Sequence, residues 1–251
     1  MLLTTNAKLD KSSRAAAAYL LRGLTLAPHG LSGHNVCPGS SVGCRASCNL
    51  WFAGQRVSPQ ARNAAVRDTR WFFRDPETFK EELHREIIRV QRSAYRKGLT
   101  PLIRLNMASD LDWTSVIAAH PDIQFFDYTK IRSRFRAYLA GTLPANYRLT
   151  FSRHEKHSET EIAGFLREGG NVAQVFDVLY NPQWKKFGAL PETVEIDGES
   201  FPVIDGDVHD VRLPEVDGTG VIVGLRLKGT NAAKSRARKS QFATAPEEVY
   251  A

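Results

Sequence analysis

Pro101-Leu102-Ile103-Arg104-Leu105-Asn106-Met107, followed by Ile123-Gln124-Phe125-Phe126-Asp127-Tyr128 and Tyr147-Arg148-Leu149-Thr150-Phe151-Ser152, decides the fold. Each run is short, apolar and rich in β-branched or aromatic residues, and helical stretches separate them. That alternation is the pattern of βαβ units and a parallel sheet. Working outward, Asn171–Val178, Pro202–Asp205 and Val221–Leu227 repeat it downstream, and Tyr19–Ala27 supplies a first strand upstream. Six to seven mostly parallel strands predict an incomplete or compact (β/α) barrel, with a doubly wound open sheet as the alternative.

The intervening helices carry their own signals. Ser58-Pro59 and Asp75-Pro76 are N-cap and first-turn pairs. They predict one helix from Ser58 to about Arg74 and a second along the stripe Phe79, Leu83, Ile87, Val90 and Ala94, stopped at Gly98. Leu111–Ala119 and Ser158–Arg167 read as further helices, the latter opened by the capping box Ser158-x-x-Glu161. Arg67, Arg70 and Arg74 fall on one face of the first helix. Residues 1–18 are expected to be a loosely held arm, 19–228 the barrel with a surface excursion and small hairpin at 180–200, and 229–251 a basic tail, all in one domain.

All three cysteines lie in one loop after the first strand, in His34-Asn35-Val36-Cys37-Pro38 and Gly43-Cys44-Arg45-Ala46-Ser47-Cys48. Three clustered thiols cannot pair completely, so Cys37, Cys44 and Cys48 point to metal ligation rather than disulfides. A structural zinc site normally takes four protein ligands, whereas a catalytic centre keeps a position open. His34 is the possible fourth ligand that would close the vacancy.

In a parallel barrel the chemistry gathers at the C-terminal rim. The strand ends place Asn106, Ser109, Asp110, Asp127, Tyr128, Lys130, Asp205 and Asp207 there as candidate catalytic residues. Ser152, Arg226 and Lys228, with Arg236 and Arg238 of the basic tail, are candidate substrate or phosphate contacts. The chain of 251 residues carries 34 basic against 27 acidic side chains, a formal charge of +7, which suits a polyanionic partner such as nucleic acid or a nucleotide. No apolar run reaches the roughly 20 residues of a membrane span. No secretory signal is recognisable, so neither a membrane association nor export is expected, and the location is expected to be cytoplasmic.

Arg104-Leu105-Asn106-x-x-Ser109-Asp110-x-x-Trp113, Gln124-Phe125-x-Asp127-Tyr128-Thr129-Lys130 and Val203-Ile204-Asp205-Gly206-Asp207, together with the cysteine runs above, resemble the phage-encoded "gene product 88-like" family. That resemblance implies a phage-infected host cell as the setting. More remotely, three cysteines after the first strand of a partial barrel, with Gly220-x-Ile222-x-Gly224, are similar to the radical S-adenosylmethionine (SAM) enzymes. This implies a [4Fe–4S] cluster on Cys37, Cys44 and Cys48, with SAM at the open iron, and a metalloenzyme that modifies nucleic acid or nucleotides. Two alternatives stand beside it. One is a zinc-containing base-exchange enzyme similar to guanine transglycosylases, and the other a non-catalytic, metal-stapled nucleic-acid-binding protein.

Overall fold

The computed structural model describes residues 1–5, 9, 18–48, 58–178, 180–181 and 186–245. Its centre is a nine-stranded sheet in the order β1-β2-β3-β4-β5-β6-β11-β10-β9. β2 (Tyr19–Leu24), β3 (Thr100–Arg104), β4 (Gln124–Thr129), β5 (Tyr147–Ser152) and β6 (Asn171–Phe176) follow one another in chain order and pair in parallel. β11 (Ile222–Arg226) then pairs with β6, and β10 (Glu199–Asp205) with β11, again in parallel. All seven expected strands are present.

The sheet does not close into the expected barrel. Closure would require β2 to meet the far edge strand, but both edges are already taken by antiparallel partners. β1 (Leu3–Thr4) pairs with β2, Leu3 opposite Leu24, and β9 (Thr193–Ile196) pairs with β10. These two strands also raise the count above the six or seven expected, and they shield edges that would otherwise present unpaired backbone.

The N-terminus is therefore no loose arm at its start. Leu2 and Leu3 are buried, and their backbone N–H groups both donate to the Glu86 carboxylate at 2.7 Å. The rest of the expected arm, apart from buried Leu9, lies outside the described residues. In the excursion, β7 (Tyr180–Asn181) pairs with β8 (Lys186–Phe187). β9 and β10 form a hairpin whose turn, Asp197-Gly198, has φ of 56° and 77° at its two central residues. A right-twisted hairpin favours that left-handed geometry, and glycine adopts it without strain.

Residue alternation along the strands divides the core in two. Ile103, Phe125, Phe151, Val172 and Ile222 face one side, with Phe79, Leu83 and Ile87 of the long helix and Phe135, Ile162 and Phe165 of later helices. Leu21, Leu102 and Phe126 face the other side, where Leu9, Met107, Val211 and Leu213 cover them.

Helix α1 (Val42–Ala46) lies within the cysteine loop. α2 (Pro59–Arg74) and α3 (Pro76–Tyr95) start where their caps predict, with Ser58 and Asp75 side chains accepting the Ala61 and Thr78 N–H groups. α4 begins at Thr114 (Thr114–Ala118) rather than Leu111, because the Leu111 N–H donates to the Asn106 side chain and holds 109–113 as a loop. α5 (Arg132–Leu139), α6 (Glu159–Arg167, capped by Ser158), α7 (Pro214–Asp217) and α8 (Asn231–Lys239) follow in chain order. The expected basic tail is thus a helix over 231–239. Thr230 caps it and Ala233 and Ala237 are buried beneath it.

Candidate active site at the cysteine loop

Leaving β2, the chain is captured by its neighbours before it reaches the thiols. The Ala27 N–H donates to Thr69 Oγ1 of α2 at 2.8 Å, and Val36, fully buried, accepts the Asp110 N–H through its carbonyl at 2.7 Å. Asn35 Oδ1 accepts the Cys37 N–H, and Ser41 caps α1 by accepting the Cys44 N–H. The Glu155 carboxylate then clamps the loop, taking the Ser41 hydroxyl at 2.7 Å and the Gly43 N–H at 2.9 Å. Burial raises the Glu155 pKa, but these two bonds outweigh it and hold the carboxyl below its ordinary value. Gly43 leaves room for this clamp: a Cβ would sit 2.5 Å from Ser240 Oγ and 2.9 Å from the Glu155 carboxylate, so either side chain would have to move.

The result is a cavity of about 290 Å³ at the C-terminal edge of the parallel strands, with Cys37, Cys44 and Cys48 in its wall. The same cavity is lined by Asn106, Ser109 and Asp110 from the loop after β3, Tyr128 of β4 and Lys130 just beyond it, and Ser152 of β5. Nine of the residues singled out from sequence therefore share one cavity. Val175, Leu225 and Leu227 give it an apolar side.

Each polar side chain is fixed by the fold. Asp110 accepts the Lys130 backbone N–H at 2.8 Å and pairs with Arg134 at 2.7 Å. Ser109 donates to Asn106 Oδ1 at 2.7 Å. Lys130 Nζ donates to Ser152 Oγ at 2.7 Å and meets no carboxylate among the described residues. Cys37 Sγ accepts the His29 N–H at 3.2 Å and lies 3.4 Å from the Ala108 carbonyl. Burial pushes its thiol up to about 11, and the neighbouring Cys44 and Cys48 add to that, while Lys130 works against it.

Asp127 is not in the cavity wall. It is fully buried behind Asn106, accepting that residue's N–H at 2.7 Å and the Tyr147 hydroxyl at 3.1 Å. Burial pushes its carboxyl up to about 7 against the opposing pull of Arg104 and those two donors. It is a positioning group for Asn106. Tyr128, half-buried in the cavity wall, is pushed up to about 12, chiefly by desolvation.

Seven further candidates lie elsewhere. Asp205 accepts Arg226 through both oxygens at 2.8 Å, and Asp207 accepts the Arg226 N–H and pairs with Lys228. These four charges satisfy one another, and none lines the cavity. Arg236 donates to the Ala46 carbonyl, and Arg238 pairs with Asp177, so both tie α8 to the sheet and α1 instead of facing a ligand as a free tail. His34 stacks flat on Phe73 of α2, centroids 4.2 Å apart, and does not line the cavity with the thiols. As placed, it does not complete a Cys3His set. Among the described residues, no three His, Cys, Asp or Glu side chains stand close enough to hold a metal ion.

Two residues escaped the sequence reading. Arg104 lines the cavity floor, pairs with Asp210 at 2.8 Å and lies 4.6 Å from the Tyr128 ring centroid. Its signal was a charge inside an otherwise apolar strand. Glu155 had none, because only the fold brings it 114 residues back to Ser41.

The gene product 88 family profile matches residues 1–243. The chain belongs to that family. The match spans both the cysteine loop and the strands that carry the cavity, and it is consistent with a phage gene product. No curated protein and no solved structure matches the chain significantly. Among the described residues, no helix is long and apolar enough to cross a membrane.

Proposed function

We propose that this family member is a metalloenzyme that modifies nucleic acid or nucleotides, with an iron–sulfur cluster held by Cys37, Cys44 and Cys48. The observation that carries the reading is the shared cavity: three thiols on one wall, and Lys130, Ser152, Asn106, Ser109 and Asp110 on the others. A structural clip has no need of such a lining.

Held by three thiolates, such a cluster would supply one electron and one open iron, the requirement of SAM chemistry. The chain's own residues do the rest. Cys37 would hold the group as a thiolate, and the nearby Lys130 ammonium would offset part of that negative charge. The Lys130 ammonium and Ser152 hydroxyl would hold an acceptor group of the ligand. Ser109 Oγ, its proton committed to Asn106, would accept from a ligand donor. Val175 and Leu225 exclude water from that side.

The base-exchange alternative asks Asp110, Asp127 and Asp205 to surround one substrate, and of the three only Asp110 lines the cavity. Anaerobic purification with iron, sulfide and zinc analysis tests the reading. About four irons with matching sulfide are expected; one zinc in a colourless protein defeats it.

A further inference from the structure

Helix α2 presents a second polar surface outside the cavity. It carries Arg62, Arg67, Arg70 and Arg74 against one carboxylate, Asp68. Arg67, Arg70 and Arg74 are exposed and share a face with Asn63, Val66 and Trp71, and a groove of about 540 Å³ runs along it. At 1.5 Å rise per residue the three guanidiniums are spread over about 10 Å of helix axis. Arg67, itself exposed, pairs with the buried carboxylate of Asp68 at 2.8 Å. Arg74 makes no hydrogen bond or ion pair among the described residues. Arg70 Nε donates to the Ser32 carbonyl at 3.0 Å, and His34 stacks on Phe73, so this face adjoins the start of the cysteine loop.

We propose that this face is a track for single-stranded nucleic acid. Phosphates would lie on Arg67, Arg70 and Arg74, and a base would lie against the apolar floor made by Val66 and the half-buried Trp71. Charge complementarity names the partner class. A row of arginines with little opposing acid needs a repeating anion, and an aromatic and aliphatic floor between the charges suits an unpaired base better than a duplex backbone. The track would lead a strand toward the loop that carries Cys37. The inference rests on the nucleic-acid part of the proposed function and not on the cluster.

The test is fluorescence anisotropy of a labelled single-stranded oligonucleotide against the full chain, wild type and R67E/R74E, over a salt series, with iron content measured on the same samples. Both arginines are exposed, but R67E sets a second carboxylate beside the buried Asp68, so the neutral pair R67Q/R74Q checks the result without charge reversal. Wild-type binding should weaken at least about tenfold in R67E/R74E, and the salt slope should fall by about 1.4 for two lost phosphate contacts in R67Q/R74Q. Unchanged affinity and slope in both variants would overturn the proposal, as would a wild type that does not bind, or that binds a duplex as tightly as the single strand. Iron content is independent of these outcomes and reports separately on the cluster.

Discussion

The cavity and the Asp205–Arg226 cluster sit at the same edge of the same parallel sheet and are built from similar residues, yet they end in opposite states. At the ends of β10 and β11, Asp205, Asp207, Arg226 and Lys228 neutralise one another, and none of them lines the cavity. In the cavity wall the carboxylates are also spoken for, Asp110 by Arg134 and Asp210, from the loop after β10, by Arg104. What remains without a carboxylate partner among the described residues is Lys130, held by a serine hydroxyl, in a cavity it shares with three thiols. Rim position alone does not make a site. A charge left unmatched beside a space and a set of thiols is what separates the cavity from the matched cluster.

The contrast can be broken most forcefully at the cavity floor. Asp210→Ala leaves Arg104 buried without its carboxylate, which should cost about 3–5 kcal/mol in a denaturant titration. A loss under 1 kcal/mol would mean that the pair is not buried as described. Glu155→Gln removes the charge that grips Ser41 and Gly43; the loss of these charge-assisted bonds should be about 1.5–3 kcal/mol, with poorer metal loading. Full loading in that variant would show that the clamp is dispensable to the thiols.

Next in size is an acid response next to the cavity. Burial chiefly lowers His154 to about 4 and His157 to about 3, and the nearby cations deepen both shifts. Below about pH 6.5 the unfolded chain takes up protons that the folded pair refuses, so stability falls as the pH drops from there toward 4. His157→Gln removes one of the two sites, and its melting temperature should fall less than the wild type's between pH 7 and 4.5. An equal fall would place the acid sensitivity elsewhere. The smallest effect belongs to the matched cluster: Asp205→Asn, at a partly exposed pair, should change stability by no more than about 1 kcal/mol and leave metal loading alone.

Much of this was legible in the sequence because the signals were local. Strand alternation, Ser58-Pro59 and Asp75-Pro76 marked the elements, and placing the cysteine loop after a parallel strand was enough to bring it to Asn106 and Lys130. The open sheet was not legible. Closure is decided by which strands meet at the edges, and Leu3–Thr4 is too short to announce itself as the partner of β2. Nor was the sorting of rim residues, since Asp205 and Asp110 look alike in sequence until Arg226 and Lys130 are seen beside them. Asp127 shows the same limit: its register beside Leu149 turns it inward to Tyr147 and Asn106, away from the ligand space.

The most direct test is cluster loading in four anaerobically reconstituted proteins: the wild type, Cys37→Ser, Cys48→Ser and Asp205→Asn. About four irons and four sulfides per chain are expected in the wild type and in Asp205→Asn, with nearly none in either cysteine variant. Stoichiometric zinc in the wild type, or iron that survives the loss of Cys37 and Cys48, would contradict the assignment of the cavity as a cluster site.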